Sequence, residues 1–307
     1  MFLSRTALTA KAQIQLAQVL IIWYDSHVKR VLRIFKFIAE ICLGCILSML
    51  FFGCNRSSVS DADFQLTVFS CGKADCILVQ HDGKAVLIDT GENGDGQQIL
   101  DELAARNISR IDLMILTHHD KDHIGGADII LDSMPVTAVR LPSYISDSTQ
   151  YKQLAESLSR SGAEVVLMTE DDSFALGSAD YIIWTSTISY DGKNDNEQSL
   201  VVKILYHGKA FLLMGDAEKA WLKELCLSGR NLTCDVLKLP HHGVYDKNLI
   251  TLLPLSLPDY VLITDSAKNP ADKKTVDLLN TFEMKCFYTK DGSIYLSMNN
   301  NVIKIKQ

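Results

Sequence analysis

Beyond residue 62 the chain alternates between short β-branched runs and stretches whose apolar positions recur at helical spacing. FQLTVFS (64–70), CILVQ (76–80) and AVLIDTG (85–91) read as strands, with His81-Asp82-Gly83-Lys84 as a hairpin between the last two. QQILDELAARNI (97–108) has the periodicity of a helix, and IDLMIL (111–116) is a continuous apolar strand. A helix over 123–134 follows, then a strand over 136–142, a helix over 148–162 stopped by Gly162, and a strand over 163–168. The second half repeats this rhythm. Strands are predicted over 179–187, 199–208 and 209–216, a helix over 217–229, strands over 234–240 and 259–265, and a helix over 273–283. Runs at 285–289, 293–298 and 302–306 close the chain as strands. Two strand-rich halves, each with helices outside, predict an α/β fold built as a four-layer αββα sandwich. No repeat or long linker interrupts residues 64–307, which read as one domain.

The N-terminal part follows a different logic. A total formal charge of −7 hides a net of +4 on residues 1–53, so the remainder carries −11. An acidic body does not look like a protein that grips nucleic acid by counterion release over a broad surface, although a local basic groove is compatible with it. Residues 1–36 form a basic leader, odd upstream of a signal and explicable by a start codon assigned too early. Residues 37–54 are an apolar segment broken only by Glu40 and long enough to span a bilayer, with Lys and Arg before it. It reads equally as a plain anchor or as a secretory signal whose Gly53-Cys54 end resembles a bacterial lipoprotein signal, with Cys54 as the lipidation site. Residues 55–63 would be a polar tether, and both readings place the body outside the cytoplasm of a bacterium, held to its membrane. Five of the eight cysteines lie beyond Cys54 (Cys71, Cys76, Cys226, Cys234 and Cys286) without zinc-ribbon spacing.

Candidate chemistry concentrates at strand ends. LMILTHHDKDHIGG (113–126) places three histidines and two aspartates within six residues directly after a buried strand. Such crowding of imidazoles and carboxylates calls for a cation among them. The calcium-loop pattern fails, with Ile124 at its fifth position and Leu131 at its twelfth, and no HExxH helix is present. Mixed nitrogen and oxygen donors suit Zn²⁺, Mn²⁺ or Fe, and Gly125-Gly126 would let the next helix pack close. The bland alternative is a polar turn whose histidines cap that helix. Three more strand ends argue against it: LIDTG with Asp89, LLMGDAE with Asp216, and KLPHHG with His241 and His242.

In this order, these motifs resemble the metallo-β-lactamase fold from about Leu66 to Leu296, and within it the extracytoplasmic hydrolase domain of ComEC-type DNA-uptake proteins. The resemblance implies His118, Asp120, Asp122 and His123 as metal ligands, with Asp216 bridging two ions and Asp89 supporting the site. It brings in His241-His242 as the stretch that follows the bridging residue, one of the two serving as a ligand, and Asn196 and Ser199 where the wider family has a histidine. The sequence departs at KNPADKK, where Asp272 stands in place of an expected terminal histidine and becomes a candidate ligand. A multi-helix channel is absent from this chain.

The implied cofactor is one or two divalent ions, Zn or Mn. The implied activity is hydrolysis of a phosphodiester, with DNA among the candidate substrates, by a metal-activated water. Asp122 would orient that water or accept its proton, and His242 or His241 would protonate the leaving group. The alternatives are an esterase or lactonase of the same fold acting on a small or cell-envelope substrate, and a binding module whose catalysis has decayed. The implied partners are a phosphoester, nucleic acid included, and the membrane through the N-terminal segment; no protein partner is indicated.

Overall fold

The computed structural model describes residues 63–307. The leader, the apolar segment with Cys54 and the tether up to residue 62 lie outside the described residues. Among the described residues, no helix is long and apolar enough to cross a membrane.

Strands β1 (Phe64–Val68), β2 (Ile77–His81) and β3 (Lys84–Ile88) form an antiparallel meander. The β2–β3 turn is Asp82-Gly83, both at positive φ, as the right-handed twist of a tight hairpin requires. Helix α1 (Gly96–Ala105) leads to β4 (Leu113–Ile115), the short α2 (Lys121–Ile124) and α3 (Ala127–Ser133) to β5 (Ala138–Pro142), and α4 (Thr149–Ser161) to β6 (Glu164–Met168). From β3 to β6 all pairings are parallel. Helix α4 begins and ends where its residues dictate: Ser148 Oγ accepts the Tyr151 amide at 3.1 Å, and Gly162 takes a left-handed conformation.

Strands β7 (Asp172–Leu176), β8 (Ala179–Trp184), β9 (Val201–Tyr206) and β10 (Lys209–Leu213) form the antiparallel part of a second sheet. Helix α5 (Lys219–Leu227), β11 (Val236–Lys238), α6 (Leu249–Ser256), β12 (Tyr260–Ile263), α7 (Lys273–Thr281) and β13 (Lys285–Tyr288) then extend it with parallel strands. Strands β14 (Ile294–Asn299) and β15 (Val302–Lys306) return to the first sheet, β14 pairing with β1. The finished sheets have eight strands (β15-β14-β1-β2-β3-β4-β5-β6) and seven (β13-β12-β11-β10-β9-β8-β7).

Alternation along the strands builds the layers, because successive side chains point to opposite faces. Phe64, Leu66, Val68, Val79, Val86 and Ile88 of the first sheet meet Tyr181, Val202, Ile204 and Phe211 of the second in a shared core, where the Phe64 and Phe211 rings stack at 4.5 Å. The opposite face of the first sheet, with Leu78, Leu87 and Met114, is covered by Ile99, Leu103, Ile130 and Leu154 from α1, α3 and α4. On the second sheet Leu212, Leu237 and Val261 pack under Trp221, Leu222, Leu252 and Leu279 from α5, α6 and α7. Three cores between four layers make the αββα sandwich that the pattern predicts.

Three elements differ from the expectation. The helix predicted over 123–134 is split at Gly125-Gly126, where a Cβ would lie 2.4 Å from the Asn93 nitrogen or the Thr90 carbonyl. The pair is there so that two loop backbones can touch. Strand β7 escapes the pattern because it lies at a sheet edge, with no fully buried residue to mark its inner face. Helix α6, LITLLPLS, is apolar on nearly every side and contains Pro254, so no helical stripe stands out. The five cysteines beyond Cys54 are free thiols.

Candidate metal centre

The chemistry gathers at the carboxyl ends of parallel strands in both sheets, where backbone groups run out of ladder partners and loops turn back. Asp89 follows β3, Thr117 to Asp122 follow β4, Asp216 follows β10, His241-His242 follow β11 and Thr264 follows β12. The loops are tied to one another by backbone hydrogen bonds: Thr90 N to His123 O (2.7 Å), Asp75 N to Asp122 O (3.0 Å), Leu200 N to Thr117 O (2.7 Å) and His241 N to Gly215 O (3.1 Å). Asp89, His241 and His242 adopt positive φ without being glycine. Strain of that kind persists only where surrounding contacts over-determine it, and functional sites are where it concentrates.

Three buried imidazoles share one design. His123 Nδ1 is 2.7 Å from Asp89 Oδ2. Thr117 Oγ1 donates its only proton to Asp89 at 2.7 Å, so its lone pairs face His118 Nδ1 at 3.1 Å. His242 Nδ1 lies 2.9 Å from Thr264 Oγ1. In each ring the outer nitrogen is occupied and Nε2 is turned inward, the arrangement that orients histidine toward a metal. His118 Nε2, His123 Nε2, His242 Nε2 and Asp216 Oδ1 are all buried without a hydrogen-bond partner. Buried polar atoms are seldom left so; only ion-pair contacts, among them Asp216 to His123 Nε2 at 3.3 Å and to His242 Nε2 at 3.1 Å, offset these, and the arrangement fits divalent cations.

The donors fall into overlapping sets with atoms within 4.8 Å of one another: His118, His123 and Asp216; and Asp122, His123 and His242. Asp75, Asp89 and His123 form a third such set, but there Asp89 already accepts from Thr117 and His123, and Asp75 is paired with Lys238. Asp120 Oδ2 extends the first set, 3.6 Å from His118 Nε2, and Asp122 Oδ2 lies 3.6 Å from His242 Nε2. His123 and Asp216 therefore sit between a His118/Asp120 half and an Asp122/His242 half. Nitrogen and carboxylate donors in this mixture suit a divalent transition ion.

Electrostatics follow from burial and crowding. Burial works against charge on His123, yet the carboxylates of Asp216 and Asp89 outweigh it and hold the imidazole well above its usual pKa. His242, buried beside Asp216 and Asp122, is likewise pushed up to about 10. Asp216 is driven well below the ordinary carboxylate range, as His242 and His123 overcome its desolvation. Asp122 falls to about 2, since its contacts with His242 and His123 outweigh burial.

Two participants are illegible from motifs. Asp75, in the loop before β2, and Lys238, at the end of β11, are 1% and 0% exposed and form an ion pair. Lys238 lies on the inward face of β11, two residues after Val236, and its Nζ also donates to Gly215 O at 3.1 Å and approaches Asp216 Oδ1 at 3.8 Å. Burial alone would discharge this ammonium, but Asp75 and Asp216 more than compensate and keep it charged. The only signals in the sequence were a lone aspartate before an apolar strand and a lone lysine inside one.

The other expected residues take distinct places. Ser199 Oγ accepts the Asp216 amide at 3.2 Å and its carbonyl accepts from Trp221 Nε1, so it braces the Asp216 turn. Asn196 Nδ2 is 3.5 Å from His241 Nε2. His241 is partly open to solvent, its Nδ1 2.8 Å from Glu218 Oε2 and its Nε2 3.9 Å from Asp216 Oδ2. Asp272 joins none of the three sets: it precedes α7 on the surface, and its carboxylate accepts the Tyr245 amide at 2.8 Å. His119 is buried against the rings of Tyr144 and Tyr151, away from these sets, and burial depresses its pKa to about 3.

Residues 70–264, well over half of the chain, match the family model of the metallo-β-lactamase superfamily. The chain belongs to that superfamily. Among curated members it is 25% identical over 284 residues to ComE operon protein 3 of Bacillus subtilis (strain 168), an alignment covering 85% of this chain and 36% of that protein. It is 27% identical over 236 residues to Recombination protein 2 of Haemophilus influenzae, covering 75% of this chain and 27% of that one. The chain thus spans about a third of the length of these curated relatives. Among solved structures, the metallo-β-lactamase fold protein YhfI from Bacillus subtilis superposes with a TM-score of 0.52 at 11% identity, over 79% of this chain and 99% of that one, a likeness of fold. The superfamily's ion-binding loops correspond here to a His/Asp cluster suited to divalent metals.

Proposed function

We propose that the protein is a metal-dependent hydrolase of phosphodiesters, with nucleic acid first among its substrates. The observation that carries this reading is the convergence of buried donor atoms from His118, His123, Asp216 and His242 that make no hydrogen bond and meet one another only as ion pairs. Asp120 and Asp122 would complete the donor set, and a divalent ion held there supplies a lowered pKa for water and a counter-charge for phosphate oxygens. The chain's own groups do the rest. Asp122, partly open to solvent, orients the attacking water and takes its proton. His242 is committed inward, so His241, open to solvent and backed by Glu218, is the group that protonates the leaving oxygen. Asp89, Thr117 and Thr264 hold the imidazoles in place. Asp272 caps its loop through the Tyr245 amide and stays outside the donor set.

Two things favour phosphodiesters: a donor set in which three carboxylates stand beside three imidazoles, open to ions such as Mn²⁺ that clamp charged oxygens, and a relative named for recombination. The purified full chain, given Mn²⁺ or Zn²⁺, should hydrolyse bis-(p-nitrophenyl) phosphate and nick a supercoiled plasmid. Turnover of p-nitrophenyl acetate or a lactone alone would establish an esterase instead. Bound metal without turnover of any ester would establish a binding module.

We also place this site outside the cytoplasm, on the strength of the apolar segment at 37–54 and the Cys54 that ends it. Cys54→Ser should leave an uncleaved precursor or release the protein, judged by mass and fractionation. An unchanged mature form in the membrane would mean a plain anchor.

A further inference from the structure

A cavity of about 660 Å³ opens beside the metal centre, between the start of α5 and the loop from Val244 to Asn248. His241 belongs to both places: it lines the cavity and lies 3.9 Å from Asp216. Three lysines, Lys219, Lys223 and Lys247, line it too, in a body that is otherwise acidic. The two acids of the lining are already engaged. Glu218 is paired with Lys219 at 2.6 Å and His241 at 2.8 Å. Asp246 accepts the amides of Lys219 and Asn248, both at 2.7 Å. Lys223 and Lys247 are exposed and have no ion pair among the described residues, so two of the three ammonium groups on the lining stand outside any ion pair, against the two carboxylates of Glu218 and Asp246. Tyr245 and Val244 line it as well. A single diester at the metal centre has no use for charges placed here; a chain of phosphates does.

We infer that this cavity is a subsite for a further phosphate of a polyanionic strand, held by Lys223 and Lys247 while the scissile diester lies at the metal centre. The inference rests on the phosphodiester reading and deepens it, naming the residues that would hold the next phosphate of a strand. Proton donation and strand binding then meet at His241, which faces the scissile group on one side and the adjoining phosphate on the other.

The test uses the full chain in detergent, with a fluorescein-labelled oligothymidylate and bis-(p-nitrophenyl) phosphate as probes. In the Mn²⁺-loaded enzyme, Lys223→Ala/Lys247→Ala should lower the ratio of kcat/KM for the oligomer to kcat/KM for the simple diester by about tenfold at low salt. Binding of the oligomer to EDTA-treated protein, followed by anisotropy, should lose salt dependence: the slope of log affinity against log salt should become shallower by about 0.7, the value for one phosphate contact removed. An unchanged ratio together with an unchanged slope overturns the subsite. Failure of the wild type to cleave either probe would defeat the phosphodiester reading alone, and the anisotropy slope would still decide whether the lysines hold a polyanion.

Discussion

Asp216→Asn is expected to abolish tight binding of a divalent ion and all hydrolysis that depends on it. Asp216 presents one oxygen to His123 Nε2 at 3.3 Å and the other to His242 Nε2 at 3.1 Å, so both halves of the donor set lose their common carboxylate at once. Asp89→Asn should act less severely, since it only loosens the orientation of His123: about 10–100-fold in metal affinity is usual for such a partner. His119→Phe and Asp272→Ala should keep full metal content, because neither side chain belongs to a donor set. Metal analysis of the four purified variants ranks them, and equal loss in Asp272→Ala would return that residue to the ligands. Affinity should also climb steeply with pH. Without metal, His242 titrates at about 10 and His123 well above its ordinary value, so at pH 7 both carry protons that an ion must displace. Loading should therefore release about two protons per chain, measurable by calorimetry in buffers of different ionisation heat. The same raised values stabilise the metal-free fold fully below about pH 6.5, and that contribution is lost as pH rises through about 10.

Lys238→Met should cost the metal-free protein about 3–5 kcal/mol, the usual penalty for removing one partner of a fully buried ion pair. The cost comes from what remains. Asp75 would stay 1% exposed with no ammonium beside it, and Gly215 O would lose its donor. Asp75→Leu in the same chain should recover most of the loss, because an apolar pair of similar volume needs no compensation. Urea midpoints for the two single variants and the double variant close the cycle. A single Lys238→Met loss below about 1 kcal/mol would mean that the His242 and His123 rings, 3.4 and 3.9 Å from Asp75, satisfy it without the lysine. Metal affinity should move the other way. Removing a fixed positive charge 3.8 Å from Asp216 makes the donor set more attractive to a cation, so Lys238→Met should bind metal more tightly per folded molecule.

The fold was legible wherever burial imposes a period. Ile77–His81 and Lys84–Ile88 alternate between two cores, and Leu154 and Leu158 sit on the inner side of α4, so pattern and caps marked these elements. Strand β7 and helix α6 were not legible, for opposite reasons: one has no buried face and the other is apolar nearly all round. At the metal centre, residues that cluster locally announced themselves, as His118 to His123 did. Asp75 and Lys238 did not, because each is a single polar residue whose meaning is its partner, brought together only when the two sheets close. The same holds for the inner and outer roles of His241 and His242. Adjacent in sequence, they are separated by backbone at positive φ that turns one imidazole to Thr264 and the other to Glu218.

The three inward histidines have a consequence for how the molecule matures. Each ring is already fixed by a different neighbour, Thr117, Asp89 or Thr264, and Lys238 already offsets the nearest carboxylates. An incoming ion finds its seat assembled and has little side-chain freedom left to freeze. Folding and filling become separate events, with the chain able to finish the first before it meets the second. Among the divalent ions that the donors suit, which one ends up resident is then a matter of which is plentiful where and when the finished protein arrives.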